Sequence, residues 1–149
     1  MNYRRTDFAD TDFKILTDEL DKYLWFLYPE IQAVYAVKNI VEKDAFVIVC
    51  FDNEEVVGCG CFRHTDEENV VELKRMYVKD KYRNMGIGEN ILNELEKWAK
   101  EKKNRYIILE TGIKNIDALN LYKKYGFRIT ENYGYYKGKE NSICMKKQI

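Results

Sequence analysis

Residues 83–88 of this chain read Arg83-Asn84-Met85-Gly86-Ile87-Gly88, and this turn decides how the rest of the sequence is interpreted. It lies between a β-prone segment that ends near Val78 and a helical pattern that begins near Gly86. Two glycines let backbone amides approach a ligand closely, and the unpaired N–H groups of a helix start lie at the positive end of its dipole. The turn therefore suits a pyrophosphate group.

The same turn also has a purely structural interpretation, in which the glycines only permit a tight bend and Arg83 is a solvated charge. Two better-known nucleotide motifs do not fit it. The third glycine of a dinucleotide-binding fingerprint is missing, and no Lys-Ser or Lys-Thr follows as in a P-loop. The hexapeptide by itself leaves both interpretations open.

Hydrophobic spacing on either side of the turn predicts the other elements. Downstream we expect a helix over residues 86–103, a strand over 106–110, a helix over 117–125 closed by Gly126, and strands over 127–130 and 143–146. Upstream we expect strands over 3–6, 45–51, 56–63 and 70–78, a first helix capped by Asp10 or Thr11 and ended by Pro29, and a second helix over 30–38. The order βααβββαβαββ predicts a mixed sheet covered by helices, built by one domain of residues 1–149.

Composition argues against several classes of protein. The 25 basic and 25 acidic residues cancel, so nothing attracts nucleic acid or an anionic membrane. Apolar runs are far shorter than the ~20 residues that span a bilayer, and the N-terminus has no apolar signal region, so we expect a cytoplasmic protein. One His and one Ser argue against a multi-His metal site and a Ser-His-Asp triad, and we expect no metal. Four thiols should be reduced and buried, namely Cys50, Cys59, Cys61 and Cys144.

Two motifs carry a resemblance to a known family. Arg-x-x-Gly-x-Gly, after the strand that holds residues 72–78, resembles the acetyl-CoA-binding motif of the GCN5-related N-acetyltransferase (GNAT) superfamily. Asn115-x-x-Ala118-x-x-Leu121-Tyr122-x-x-x-Gly126-Phe127 resembles the next motif of that family at the expected distance. Further segments, such as residues 109–112, are similar to small stand-alone bacterial-type members. The resemblance implies an α+β (mixed α/β) fold, with a mostly antiparallel sheet of six to seven strands and about four helices.

The resemblance also implies acetyl-CoA as co-substrate. It places the pyrophosphate on the amides of the turn and the following helix start, with an added charge from Arg83. The remaining contacts would come from the main chain of the preceding strand, from Asn115 and from Tyr122. The implied cofactor-binding residues are Met76, Tyr77, Val78, Arg83, Asn84, Met85, Gly86, Ile87, Gly88, Glu89, Asn115 and Tyr122.

Two catalytic residues follow from the same resemblance. Tyr122 matches the general acid that protonates the CoA thiolate, although it could instead be a core tyrosine. Glu72 is the candidate general base, because it lies 11 residues before Arg83, the spacing of the catalytic glutamate in histone-modifying relatives. Strand alternation predicts that Glu72 shares a face with Met76 and Val78, which would make it an ordinary exposed residue if that face is solvated. Glu110 is the weaker second candidate.

The acceptor is harder to infer from the sequence. In this fold its pocket would form from the N-terminal helices and the aromatic-rich loop before the last strand, which would narrow the acceptor side and favour a small primary amine. Direct attack in a ternary complex is expected because no Cys falls within either motif. The alternatives are a protein N-terminus or lysine as acceptor, or a non-catalytic acyl-CoA sensor. A homodimer is compatible with the resemblance. The candidate acceptor residues are the aromatics Trp25, Tyr28, Tyr133, Tyr135 and Tyr136, with Arg75 and His64 as candidate contacts for a substrate carboxylate.

Overall fold

The computed structural model describes residues 1–29 and 43–149 of the chain. Within these residues it contains seven β-strands and three α-helices. They are β1 (Asn2–Thr6), α1 (Thr11–Leu27), β2 (Phe46–Asp52), β3 (Glu55–His64), β4 (Val70–Val78), α2 (Ile87–Glu101), β5 (Tyr106–Gly112), α3 (Ile116–Lys124), β6 (Arg128–Thr130) and β7 (Ser142–Gln148). The second helix predicted over residues 30–38 lies outside the described residues.

The predicted start of α1 is confirmed by its cap. The Asp10 carboxylate accepts hydrogen bonds from the backbone N–H groups of Asp12 and Phe13, at 2.9 and 3.1 Å. These bonds satisfy two of the donors that a helix start leaves unpaired. The helix ends at Leu27, two residues before Pro29.

The seven strands form one sheet in the order β1-β2-β3-β4-β5-β7-β6. Every neighbouring pair is antiparallel except β4 and β5, which are parallel, so the predicted mixed and mostly antiparallel sheet is confirmed. Helices α2 and α3 pack on one face and α1 packs on the other. We call these the α2 face and the α1 face.

The parallel pair is short, and this opens the sheet. Residues 70–72 of β4 pair with residues 106–108 of β5, and no later residue of either strand continues that ladder. Beyond this point β5 stays paired with β7 as far as Gly112, while β4 stays paired with β3 as far as Val78. The facing edges of β4 and β5 therefore separate and leave a split in the middle of the sheet.

A β-bulge in β4 overturns one prediction. Cys59 pairs with Tyr77 but Cys61 pairs with Lys74, so β4 carries one extra residue there, and Arg75 has a φ of 59°. The bulge reverses the alternation of side chains along the strand. The prediction that Glu72 shares a face with Met76 and Val78 is therefore wrong: those two pack on the α2 face, whereas Glu72 lies on the α1 face.

Candidate active site

A cleft of about 490 Å³ opens where β4 separates from β5. Its walls come from the C-terminal half of β4, the turn that follows, the start of α2 and the whole length of α3, with two residues contributed by α1. The unpaired edge of β4 borders the cleft, and its backbone groups there have no strand partner on the β5 side.

The turn before α2 presents backbone amides to this cleft. Gly86 caps the helix in the left-handed region with a φ of 78°, and Asn84 has a φ of 61°. The N–H of Asn90 makes the first helical hydrogen bond, to the carbonyl of Gly86 at 3.0 Å. The N–H groups of residues 87–89 therefore have no partner inside the helix, and they lie at the positive end of its dipole.

Gly88 serves a different purpose from Gly86. A Cβ at Gly88 would lie 3.0 Å from Cδ2 of Leu121, whereas a Cβ at Gly86 would meet nothing within 4 Å. Gly88 therefore permits close packing of α3 against α2, and Gly86 permits the left-handed turn. Both glycines shape the cleft, since they line it together with Leu121.

Arg83 is fixed at the wall of the cleft. Its Nε donates to the carbonyl of Val78 at 3.0 Å, and Nη1 lies 3.1 Å from the Asp80 carboxylate. The guanidinium also lies over the rings of Tyr23 and Tyr77, with centroids at 5.2 and 5.9 Å. These contacts hold one positive charge beside the helix start.

Two side chains of α3 complete the cleft. Asn115 is the N-cap residue, but its side chain makes no capping hydrogen bond, so its amide group is available to the cleft that it lines. Tyr122 is buried and its ring packs edge-on against Phe127. Burial, with a smaller contribution from the negative charge of Glu110, raises the pKa of Tyr122, so its hydroxyl keeps its proton at neutral pH.

Of the twelve residues that the resemblance nominated for cofactor binding, eleven line the cleft. Met85 is exposed and does not line the cleft, and neither does Glu72. The sequence analysis missed several lining residues of α3 and of the N-terminal helix, since only the packing of these helices places them there. The nominated residues that line the cleft are Met76, Tyr77, Val78, Arg83, Asn84, Gly86, Ile87, Gly88, Glu89, Asn115 and Tyr122, and the missed ones include Leu20, Tyr23, Tyr82, Asp117, Asn120 and Lys124.

Glu72 lies on the α1 face, beside the root of the split. It is 4% exposed, and both of its carboxylate oxygens are engaged. Oε1 accepts a hydrogen bond from Arg63 Nε at 2.8 Å, and Oε2 accepts one from the Tyr133 hydroxyl at 2.6 Å. It is therefore a buried, paired carboxylate and not a solvated surface charge.

A second carboxylate, Glu110, lies on the same face across the split. Ser142 Oγ donates to Glu110 Oε2 at 2.7 Å, and no described residue donates to Oε1. Burial raises the pKa of Glu110 to about 7, with a further upward contribution from the charge of Glu72. Lys74 lies nearby, and burial lowers the pKa of its ammonium group. The sequence analysis missed Lys74, although simple alternation already puts it on the face of Glu72.

The acceptor contacts proposed from the sequence have mixed outcomes. Tyr133 and Tyr136 are edge-on to each other beside Glu72, with ring centroids 5.7 Å apart, and Tyr28 packs against Gly112. Arg75 is buried and bound to Asp21 Oδ1 at 2.7 Å and to the Thr17 carbonyl at 2.9 Å, so α1 already occupies its guanidinium. His64 packs against Phe46 in the aromatic cluster that includes Trp98 of α2, on the opposite face from Glu72.

Comparison with known proteins settles the family. The sequence profile of the acetyltransferase (GNAT) family matches residues 9–127, which include the turn, the cleft and both carboxylates. The chain belongs to the GNAT acetyltransferase family. It is accordingly an acyltransferase with the GNAT acyl-CoA N-acyltransferase fold.

Relatives of this GNAT acetyltransferase come from distant organisms. It is 32% identical over 135 residues to an "IAA acetyltransferase" of Azospirillum brasilense, covering 90% of this chain and 88% of that one. It is also 32% identical over 114 residues to "Probable N-acetyltransferase 14" of Xenopus tropicalis, covering 76% of this chain but only 55% of that longer relative. The chain thus spans little more than half of the Xenopus protein.

Solved structures share the fold over nearly the whole chain. A Klebsiella pneumoniae protein assigned as an acyl-CoA N-acyltransferase has a TM-score of 0.79 at 27% identity, covering 98% of this chain and 97% of that one. The PaiA N-acetyltransferase of Thermoplasma acidophilum, solved in complex with coenzyme A, has a TM-score of 0.73 at 20% identity over the full length of both chains. The second likeness concerns the fold alone.

Two negative findings apply to residues 1–29 and 43–149 of this GNAT acetyltransferase. No helix there is both long and apolar enough to cross a bilayer. In the same part of the chain, no three His, Cys, Asp or Glu side chains are grouped closely enough to hold a metal ion.

Proposed function

We propose that this chain transfers an acetyl group from acetyl-CoA to the primary amine of a small molecule, by direct attack in a ternary complex. One observation carries the proposal: the split between β4 and β5 joins a cleft with free helix-start amides to a face that holds two carboxylates, the buried Glu72 and the half-buried Glu110. A group bound along the split would reach both sides of the sheet. The relatives named as acetyltransferases, one of them as a probable N-acetyltransferase, support the reaction class.

The cleft fits the carrier at three points. The left-handed Gly86 and the free N–H groups of residues 87–89 suit its pyrophosphate, with Arg83 at 26% side-chain exposure as a fixed positive charge. The unpaired β4 edge at residues 76–78 offers backbone partners for an extended amide chain such as pantetheine. Asn115 supplies a side-chain amide farther along the cleft.

Tyr122 is the proposed general acid. When the tetrahedral species collapses, the bond from the acyl carbon to sulfur breaks and the leaving thiolate needs a proton. Tyr122 lines the cleft, and its hydroxyl stays protonated because burial raises its pKa. It can therefore stabilise the thiolate by a hydrogen bond and supply the proton.

The general base is a carboxylate on the α1 face, and the two candidates are Glu72 and Glu110. Glu72 is the candidate from the sequence, but both of its oxygens already accept hydrogen bonds. Glu110 has one oxygen without a donor among the described residues, and its pKa of about 7 suits proton transfer at neutral pH. These contacts favour Glu110.

Direct attack is favoured over an acyl-enzyme because the thiols are poorly placed. All four cysteines are free and buried. Burial raises the pKa of Cys61 to about 12 and also raises the pKa of Cys144, the thiol nearest Glu110 in the strand register. Protonated thiols are weak nucleophiles. Free thiols are also typical of reducing compartments, which supports a cytoplasmic enzyme. The single seven-stranded sheet supports one domain over residues 1–149.

The proposal is tested by thiol release from acetyl-CoA with a panel of tyramine, spermidine, L-lysine, L-phenylalanine and a lysine-containing peptide. We expect saturable release with at least one small amine and slower release with the peptide. Fastest release with the peptide would move the acceptor to proteins. Calorimetric binding of acetyl-CoA without release by any panel member would favour an acyl-CoA sensor, and absence of binding at millimolar acetyl-CoA would overturn the proposal.

A further inference from the structure

The loop between β6 and β7 is built around its own backbone. Residues 131–141, which we call the aromatic loop, contain Tyr133, Tyr135 and Tyr136 and a single 3₁₀ turn at Gly134–Tyr136. Asn132 Nδ2 lies 3.0 Å from the carbonyl of Tyr136 and 3.1 Å from those of Lys139 and Ser142. This side chain closes the loop on itself, so the loop behaves as one unit.

The phenol of Tyr133 binds that unit to β4. The Tyr133 hydroxyl donates to Glu72 Oε2 at 2.6 Å, and Arg63 Nε on β3 donates to the other oxygen of the same carboxylate at 2.8 Å. Tyr133 and Glu72 are 61 positions apart in the sequence, and through Arg63 the two contacts connect the loop to two neighbouring strands. Hydrogen bonds to a charged acceptor are roughly twice as strong as those between neutral groups.

The ring of Tyr133 transmits this contact to the rest of the loop. Tyr136 is edge-on to Tyr133 and to Tyr135, with centroids at 5.7 and 5.6 Å. Tyr136 is buried and lies within the electrostatic reach of both Glu110 and Glu72. The position of Tyr133 therefore sets where an aromatic wall lies relative to the carboxylate that we favour as the base.

We propose that Glu72 is a positioning residue that holds the aromatic loop at the acceptor side, by binding Tyr133 and Arg63. This inference rests on the proposed function, because it assigns the loop to the acceptor. It assigns Glu72 no proton transfer. The loop, held in this place, orients the amine towards the split, and Glu110 takes the proton.

The chain contains a matched control for this contact. On the other side of the sheet, the Tyr125 hydroxyl donates to Glu96 Oε2, also at 2.6 Å. That pair joins the end of α3 to α2 and does not line the cleft. Tyr125→Phe removes a phenol–carboxylate bond of the same length from a place where the inference gives it no role.

The experiment compares Glu72→Gln, Tyr133→Phe, their double variant and Tyr125→Phe. Amide hydrogen exchange of peptides covering residues 131–142 is measured first, since the Tyr136, Lys139 and Ser142 amides bond inside this segment. Kinetics follow with the best amine of the panel above. We expect faster exchange in this segment for both single variants, about a tenfold rise in the KM of the amine, and an unchanged Kd for acetyl-CoA.

Three further results are expected. The double variant should be no worse than Tyr133→Phe alone, because both changes remove one contact. Glu72→Gln should keep the wild-type rise of rate with pH. Tyr125→Phe should leave loop exchange and the KM of the amine unchanged.

Unchanged loop exchange in Tyr133→Phe and Glu72→Gln would overturn the inference. Equal effects of Tyr125→Phe on loop exchange and on the KM of the amine would also overturn it, because they would indicate general destabilisation. Loss of the pH-dependent rise of rate in Glu72→Gln would overturn it as well, because Glu72 would then be the base. If no panel amine reacts with the wild-type enzyme, the proposed function fails, and loop exchange alone still decides whether Glu72 holds the loop.

Discussion

The two sides of the split are built in different ways. On the cleft side, the groups that we propose to bind the pyrophosphate are mainly backbone amides of one continuous segment, residues 83–89, which the left-handed Gly86 helps to shape. On the α1 face, the groups are side chains from β3, β4, β5 and the aromatic loop, such as Arg63, Glu72, Glu110 and Tyr133. A constant ligand can be bound by a fixed backbone, whereas a variable acceptor needs side chains that can differ from one relative to the next.

The difference makes a general prediction. Substitutions on the α1 face should alter turnover and amine recognition but not acetyl-CoA affinity. Substitutions at the turn should alter acetyl-CoA affinity but not amine recognition. The variants below test this separation, beginning with the largest expected effect.

Glu110→Gln should give the largest loss. Without a proton acceptor, kcat should fall by about 100- to 1,000-fold, and the rise of rate as pH passes through about 7, where the carboxylate forms, should disappear. The Kd of acetyl-CoA should stay within about twofold. Thiol release between about pH 5.5 and 9 measures the profile, and a wild-type profile in the variant would remove Glu110 as the base.

The same substitution should change how stability depends on pH. A folded-state pKa of about 7, above the ordinary 4.5, means that the protonated carboxyl is favoured by folding. The wild-type chain therefore keeps this stability below about pH 4.5 and loses it as the pH rises through 7, by up to about 3 kcal/mol. Urea unfolding at pH 5 and pH 8 should show that the free energy of unfolding declines less with rising pH in Glu110→Gln than in the wild-type chain. Equal declines in the wild-type chain and the variant would show that the Glu110 carboxyl is not desolvated.

Tyr122→Phe should reduce kcat by about 10- to 100-fold, since the thiolate loses its hydrogen-bond donor and proton source. The ring contact with Phe127 is kept, so the fold should be unaffected. Stopped-flow thiol release measures the turnover, and calorimetry measures the Kd of acetyl-CoA, which should stay unchanged. Unchanged turnover would return Tyr122 to a purely structural role.

Gly86→Ala should have the smallest effect, and only on the carrier. An alanine at a φ of 78° costs about 1–2 kcal/mol, so the turn should relax and acetyl-CoA affinity should fall by up to about tenfold. Gly138→Ala is the matched control, because Gly138 has a φ of 74° and equally open space, but lies in the aromatic loop. Calorimetry should show weaker acetyl-CoA binding only for Gly86→Ala. Equal weakening in both variants would contradict the separation.

The same contrast explains what could be predicted from the sequence. The turn, Asn115 and Tyr122 could be predicted to lie together because they belong to contiguous motifs whose residue types imply their chemistry, and they line one cleft. The face of Glu72 was predicted wrongly because the bulge at Arg75 adds one residue to β4, and nothing in residues 70–78 marks it. The contact between Glu72 and Tyr133 joins distant segments, and only the folded sheet brings them together.

The bounds of strands and helices could likewise be predicted where local sequence determines them, and not where pairing in the sheet does. The bounds of β4 were predicted to the residue from its β-prone composition, and those of α2 within two residues from its strong helical period. β5 runs two residues farther than expected, since pairing with β7 and not local sequence extends it to Gly112. The early separation of β4 from β5 is a property of the sheet that no single strand shows.

The central claim is that the amides at the start of α2 bind the pyrophosphate of acetyl-CoA. The most direct test is a titration of ¹⁵N-labelled protein with acetyl-CoA, followed by backbone amide NMR. We predict saturable shifts that are largest for Gly86, Ile87, Gly88 and Glu89 and small in residues 131–141. Absence of saturable shifts at these four amides at millimolar acetyl-CoA would contradict the claim.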